Sequence, residues 1–180
     1  MWTNLVPVLG AVIFFNIISN EAVVFRFKNF ECKTYNQSWF VFQHCRLKAV
    51  SRDRVLLNMN GTVLHPVHNI HLHAKMFKRA SGFKPWLLDS TIDVCRFVRK
   101  HYDPFIGIVF NIFKEFSNFN HTCPYVGPQV VKDFYLRPEL LIVPLPTGEY
   151  MLAMQWYFDK KLQFDTNVTF VFEEDLLKRS

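Results

Sequence analysis

Cys32, Cys45, Cys95 and Cys123 are the four cysteines of the chain, and they carry its most reactive side chains. A thiolate nucleophile needs a free cysteine, whereas an even set in an oxidising compartment reads as disulfides. Three pairings are open to four cysteines. His65, His68, His71 and His73 form the second chemically suggestive group. On a strand, His71 and His73 share a face roughly 7 Å apart, a span one metal ion can bridge. They occupy polar, solvent-side positions with no cysteine or carboxylate nearby in sequence, so no metal site is expected. No Gly-x-Ser-x-Gly elbow, phosphate-cradling glycine loop or His-Glu-x-x-His motif occurs. Glu173, Glu174 and Asp175 read as a solvated charge run near the C-terminus. No catalytic residue and no cofactor is nominated, and the chain reads as non-enzymatic.

A third chemistry is addressed to asparagine. Four Asn-x-Ser/Thr sequons begin at Asn36, Asn60, Asn120 and Asn167, where chance gives about one, so a glycoprotein is expected. Leu5 to Ile18 is a fourteen-residue, almost wholly apolar run, followed by Ser19, Asn20, Glu21 and Ala22. That length suits a cleaved signal peptide and falls short of the ~20 residues that span a bilayer. Residues 1–22, with a cut between 19 and 22, are therefore read as a signal peptide. No Lys or Arg precedes the apolar run, the one departure from the usual pattern. The rest, 23–180, reads as a single secreted, extracellular domain. The net charge of +6 is scattered along the chain, which argues against nucleic acid and suits an anionic surface.

These residues must be held by strands. Ile70, Leu72, Ala74 and Met76 alternate with His71, His73 and Lys75; Val55, Leu57 and Met59 alternate with Arg54, Asn58 and Asn60. Tyr150, Leu152, Met154, Trp156 and Phe158 make a third stripe; Leu162, Phe164, Val168 and Phe170 a fourth, after a turn at Asp159-Lys160-Lys161. Val23, Phe25 and Phe27 begin a first strand, and Val41, Cys45, Leu47 and Ala49 mark one face of a second. Asn60 and Asn167 fall on polar faces, Asn167 with Gln163, Asp165 and Thr169. Half-buried antiparallel strands have this pattern.

Ser90 to Phe119 breaks the alternation. Ser90-Thr-Ile-Asp93 resembles a capping box, and Asp103-Pro104 starts a second helix. Phe105, Ile108, Val109, Ile112, Phe113 and Phe116 follow at helical spacing, with Ile106 and Phe110 adding apolar surface on other faces. The expected fold is mainly β, an antiparallel, immunoglobulin-like β-sandwich or a β-cup. It has about seven strands and a helical insertion at about 90–118. If the first two strands form a hairpin turning near Ser38, Cys32 and Cys45 face each other. Cys95 and Cys123 then tie the ends of the helical segment, which favours 32–45 with 95–123.

The chain is 50% hydrophobic and holds 20 phenylalanines. Phe25, Phe27, Met59, Leu72, Met76, Phe105, Ile108, Ile112, Met154, Trp156 and Phe170 are the candidate lining of an apolar cavity. Composition fits two arrangements. In one the sheets stand apart around a lipid or other hydrophobic small molecule. That guest would be presented to a receptor or membrane. In the other the core is filled, and the basic glycosylated face binds a protein partner or an anionic membrane surface.

Several stretches carry a family resemblance: Cys45-Arg-Leu-Lys-Ala-Val50, Met76-Phe-Lys-Arg-Ala-Ser-Gly-Phe-Lys-Pro-Trp-Leu87 and Asp93-Val-Cys-Arg-Phe97. Ser117-Asn-Phe-Asn-His-Thr-Cys-Pro-Tyr125 and Leu145-Pro-Thr-Gly-Glu-Tyr150 with Trp156 complete the set. Together they resemble a fly family of secreted single-domain proteins that includes the CheB chemosensory proteins. That family is distantly similar to the ML lipid-recognition domains and the ganglioside activator protein, β-cups that hold lipid tails. The resemblance implies disulfide roles for all four cysteines, a non-catalytic lipid or hydrocarbon ligand and a part in pheromone perception. It assigns no ligand residues; Gly82, Pro85, Pro124 and Gly148 read as turn and packing determinants.

Overall fold

The computed structural model describes residues 23–52, 54–142 and 144–174. The expected signal segment, and Asp175, lie outside them. In chain order the elements are β1 (Val24–Thr34), β2 (Phe40–Ala49), β3 (Val55–Val67), β4 (Ile70–Ala80), β5 (Gly82–Asp93), α1 (Val94–Phe97), α2 (Pro104–Phe113), a 3₁₀ turn (Lys114–Phe116), β6 (Tyr125–Phe134), β7 (Gly148–Phe158) and β8 (Lys161–Glu173). The strands form two antiparallel sheets, one of five in the order β1-β8-β7-β4-β5 and one of three in the order β2-β3-β6. The expected mainly-β sandwich is the observed fold, with eight described strands rather than about seven.

The period-two stripes point where alternation demands. Ile70, Leu72 and Ala74 are buried, as are Leu57, Met59 and Phe158, while Met76, Met154 and Trp156 are half-buried on the same inner surfaces. β4 and β7 pair without a break, Leu72 opposite Trp156 and Ala74 opposite Met154. The β7–β8 hairpin closes through Asp159 and Lys160, both at positive φ (47° and 65°). Two consecutive left-handed residues are the turn that matches the twist of the flanking strands.

Several expectations require correction. β1 and β2 do not form a hairpin: β1 pairs with β8, β2 pairs with β3, and the chain crosses between sheets at residues 35–39. Bulges then reverse the assigned faces, because one extra residue swaps every side chain beyond it. In β2 the register shifts between Phe42 and His44, so Phe40 and Phe42 join the core with Cys45 and Leu47, while Val41 lies opposite Thr62. In β8 a shift against β7 makes Gln163 the extra residue, and it is buried; Leu162, opposite Tyr157, is only half-buried. Thr169, assigned to the polar side, is also buried. Ser90 does not start a helix. β5 continues to Asp93, whose own carboxylate caps the four-residue α1 by accepting from Arg96 N at 3.0 Å. The helical insertion is thus 94–97 and 104–116 rather than 90–118.

Candidate functional site: an apolar cavity between the sheets

α2 is positioned by its first residues. Asp103 accepts from Ile106 N at 3.0 Å and Pro104 takes the first helical turn, where its missing N–H costs nothing. The other Asp103 oxygen accepts from Ser90 Oγ at 2.6 Å, which fastens the helix start to edge strand β5. Ile106 and Phe110 pack with Leu88, Ile92 and Phe97; further along, Ile112 packs with Val131 and Phe134. Beyond the helix Ser117 bridges to Val131, and Asn118 exchanges hydrogen bonds with Val130. α2 therefore spans from edge strand β5 to edge strand β6 and closes that side of the sandwich. Among the described residues no backbone hydrogen bond joins residues 104–116 to either sheet.

Two disulfides hold this frame. Cys32–Cys45 joins β1 to β2 and so clamps the two sheets on the side away from α2, with Cα atoms 6.3 Å apart. Cys95–Cys123 ties the segment before α2 to the segment after it, Cα atoms 5.5 Å apart across 28 residues. Beside it Tyr125 is buried, its hydroxyl donating to Phe119 O and His121 O at 2.7 and 2.8 Å. Burial pushes its phenol up to about 12, despite the opposing effect of the His121 hydrogen bond.

Between the sheets lies a cavity of about 250 Å³. A single water needs roughly 10–15 Å³ of such space, so this is room for a guest of many heavy atoms. The inter-sheet space is not filled by side chains. Phe25, Phe27, Met59, Leu72, Met76 and Ile108 line it, as do Ile112, Met154, Trp156 and Phe170. Phe105 also lines it while 44% exposed, which puts it at the rim rather than in the buried stripe. The buried helix positions are instead Ile106, Phe110 and Ile112.

Further lining residues were not foreseen in sequence: Phe40, Phe164, Phe134, Gln129 and Thr166. Phe40 stacks on Phe164 with ring centroids 3.9 Å apart, and Phe164 stacks on Trp156 at 5.5 Å. Phe40 reaches that place because Gly61 has no side chain. A Cβ there would lie 2.3 Å from Phe40 Cζ. Tyr150, fully buried, stacks on Phe170 and donates its hydroxyl to Pro146 O.

The charged groups lie on outer surfaces. β4–β5 pairing brings Asp89, distant in sequence, to 2.7 Å from His73 Nε2 and 2.8 Å from Lys75 Nζ. Hydrogen bonds from Lys75 and His73 hold the Asp89 carboxyl below its usual range. Burial pushes Glu149 up, and the hydrogen bonds from Lys28 and Arg79 bring it below the ordinary glutamate value. Among the described residues no group of three His, Cys, Asp or Glu side chains converges on a point where an ion could sit. Of the sequon asparagines, Asn60 and Asn120 are exposed. Asn36 and Asn167 are half-buried, Asn36 in the crossover and Asn167 between Glu31 and Ala153 on the outer surface of β8.

Fold and site together define a two-sheet antiparallel sandwich with an apolar internal chamber. Residues 72–152 match the profile of a family described as "Protein of unknown function (DUF1091)". No curated protein matches the chain. Among solved structures, a Niemann-Pick type C2 protein from Japanese carpenter ant is similar at 14% identity, over 84% of this chain and 92% of that one, with a TM-score of 0.28. No helix among the described residues is long and apolar enough to cross a membrane.

Proposed function

We propose that the protein is a secreted, glycosylated, non-catalytic binder of a lipid or long-chain hydrocarbon, which it solubilises and presents to a receptor or membrane. The cavity carries this reading. A protein that left about 250 Å³ of apolar space unfilled would forgo about 6 kcal/mol at ~24 cal/mol per Å³. That is comparable to the whole stability of an ordinary domain. An apolar guest recovers that loss at about 0.8 kcal/mol per buried CH₂. The two disulfides suit an oxidising compartment, which agrees with removal of residues 1–22 as a signal and with glycans at the four sequons. The motif resemblance to secreted chemosensory proteins supports a part in perceiving hydrophobic signals.

The test is direct. The mature protein, purified from culture medium, is extracted with organic solvent for mass spectrometry. It is then titrated with N-phenyl-1-naphthylamine, a neutral fluorescent probe. A stoichiometric lipid in the extract, or saturable probe binding displaced by long-chain compounds, is the expected outcome. Leu72→Trp, which narrows the cavity, should weaken probe binding while leaving a folded protein. No extracted lipid and no saturable probe binding would defeat the reading.

A further inference from the structure

The motif Cys45-Arg-Leu-Lys-Ala-Val50 carries more than its cysteine. Cys45 and Leu47 turn inward, to the disulfide and the core, so Arg46 and Lys48 alternate outward and are exposed. The chain then turns between β2 and β3, where Val50 N and Ser51 N donate to Arg54 O. Arg52 and Arg54 are exposed as well. Residues 46–54 thus hold four cations against the one carboxylate of Asp53, a net +3. Among the described residues no carboxylate pairs with any of the four. Arg54 Cζ lies 3.8 Å from the centroid of the Tyr135 ring, which fixes its place and leaves its charge unneutralised.

The same end of the sandwich exposes apolar surface. Val50 stands 57% exposed between Lys48 and Arg52. Ile142, 78% exposed, lies in the connection that leaves β6 beyond Phe134, and Phe134 is opposite Leu57 of this hairpin. The chamber reaches this end too, since the recess bordered by Arg54 and Tyr135 shares Phe25 and Leu136 with the chamber wall. No sequon lies at the tip. Asn36 and Asn120 are at the far end, ahead of the first residues of β2 and β6. Asn60 is about 16 Å up β3 from Val55, at ~3.3 Å per residue. The far end exposes Leu64 and Val126, but there two sequons stand beside them.

We infer that this cationic tip docks on an anionic lipid bilayer, with Val50 entering the headgroup layer and Arg46, Lys48, Arg52 and Arg54 set against the lipid phosphates and carboxylates. Its use, exchange of a water-insoluble guest with a lipid phase, rests on the cavity reading above; the docking itself does not. A soluble acidic partner has no need of the exposed Val50, and a neutral bilayer leaves the +3 uncompensated. Each Lys or Arg held near an anionic membrane surface raises binding about fivefold.

The experiment sediments the mature glycosylated protein with vesicles of phosphatidylcholine alone and of phosphatidylcholine mixed with phosphatidylserine. Binding is expected to the mixed vesicles, and should fall steeply as salt rises toward about 1 M, where the screening length is ~3 Å. Arg52→Glu, a change of two charges at the tip, should weaken binding at least about tenfold. Lys161→Glu, the same change at the opposite end of the sandwich, should leave it nearly intact. Both positions are exposed and next to turns, so neither variant threatens the fold. Val50→Ser should weaken binding at unchanged charge, which separates a bilayer from an acidic polymer. The inference is overturned by no preference for phosphatidylserine, by equal losses in the two charge variants, by a Val50→Ser variant that binds as tightly as the wild type, or by capture on soluble heparin without vesicle binding. N-phenyl-1-naphthylamine reports the chamber separately. Vesicle binding absent with probe binding kept removes the docking alone, and the reverse removes the cavity reading alone.

Discussion

Gly61 and Phe40 show how one missing atom shapes the chamber. Adding a methyl at Gly61 drives it into Phe40 Cζ, and Phe40 cannot retreat without losing its stack on Phe164. Gly61→Ala should therefore cost about 1–3 kcal/mol, read as a lower urea midpoint at unchanged slope, while the Asn60-Gly61-Thr62 sequon stays intact. Tyr125 gives a pH signature. Its folded phenol titrates near 12 against 10.0 for an ordinary tyrosine. Between these values the unfolded chain has already lost a proton that the folded protein keeps. The contribution, about 3 kcal/mol, is complete below pH 10 and disappears as pH rises to about 12. Denaturant unfolding at stepped pH should show this loss in the wild type and a smaller one in Tyr125→Phe. None of this was legible in the sequence, where Gly61 is one letter of a sequon and Gln129 belongs to a segment, Tyr125–Phe134, with no alternating stripe. Long apolar side chains at period two announce a core. A glycine or glutamine whose role depends on a partner from another strand does not.

At the scale of elements, α2 depends on its two ends. Replacing Cys95 and Cys123 together by serine should cost about 3 kcal/mol, the usual value for a loop of this size, seen as a drop in denaturation midpoint. Asp103→Ala, which removes both the helix cap and the Ser90 contact, should cost about 1 kcal/mol. The strands themselves were largely legible: four stripes in β3, β4, β7 and β8 face inward over most of their length. The errors share a physical cause. A bulge inserts one residue without altering composition, so strict alternation puts Val41 and Leu162 on the wrong face and Gln163 in solvent. The 32–45 link was likewise drawn from a hairpin that does not exist. The bond forms because the crossover between sheets brings β1 and β2 together. Ser90 misled because Ser-x-x-Asp satisfies a capping pattern that β5 overrides by continuing its ladder with β4 through the His71–Asp93 pair.

For the whole molecule, the two long sides of the sandwich are unlike. On one, β1 meets β2 and a covalent bond fixes their separation. On the other, edge strands β5 and β6 are linked through the side chains of α2 and, at one end, by the Cys95–Cys123 bond between the segment after β5 and the segment before β6. The helix margin is thus pinned at one end and held along its length by side-chain packing, whereas the disulfide of the opposite margin joins strand to strand directly. Exchange of a bulky guest would then proceed past Phe105 without the five-stranded sheet coming apart. Deuterium uptake in the native protein should be fastest in residues 98–118 and slowest in β7 and β8, with the gap narrowing when a ligand is bound. Uniform uptake along the chain would mean that both margins yield equally, and that strand-to-strand linkage holds its side no better than helix packing holds the other.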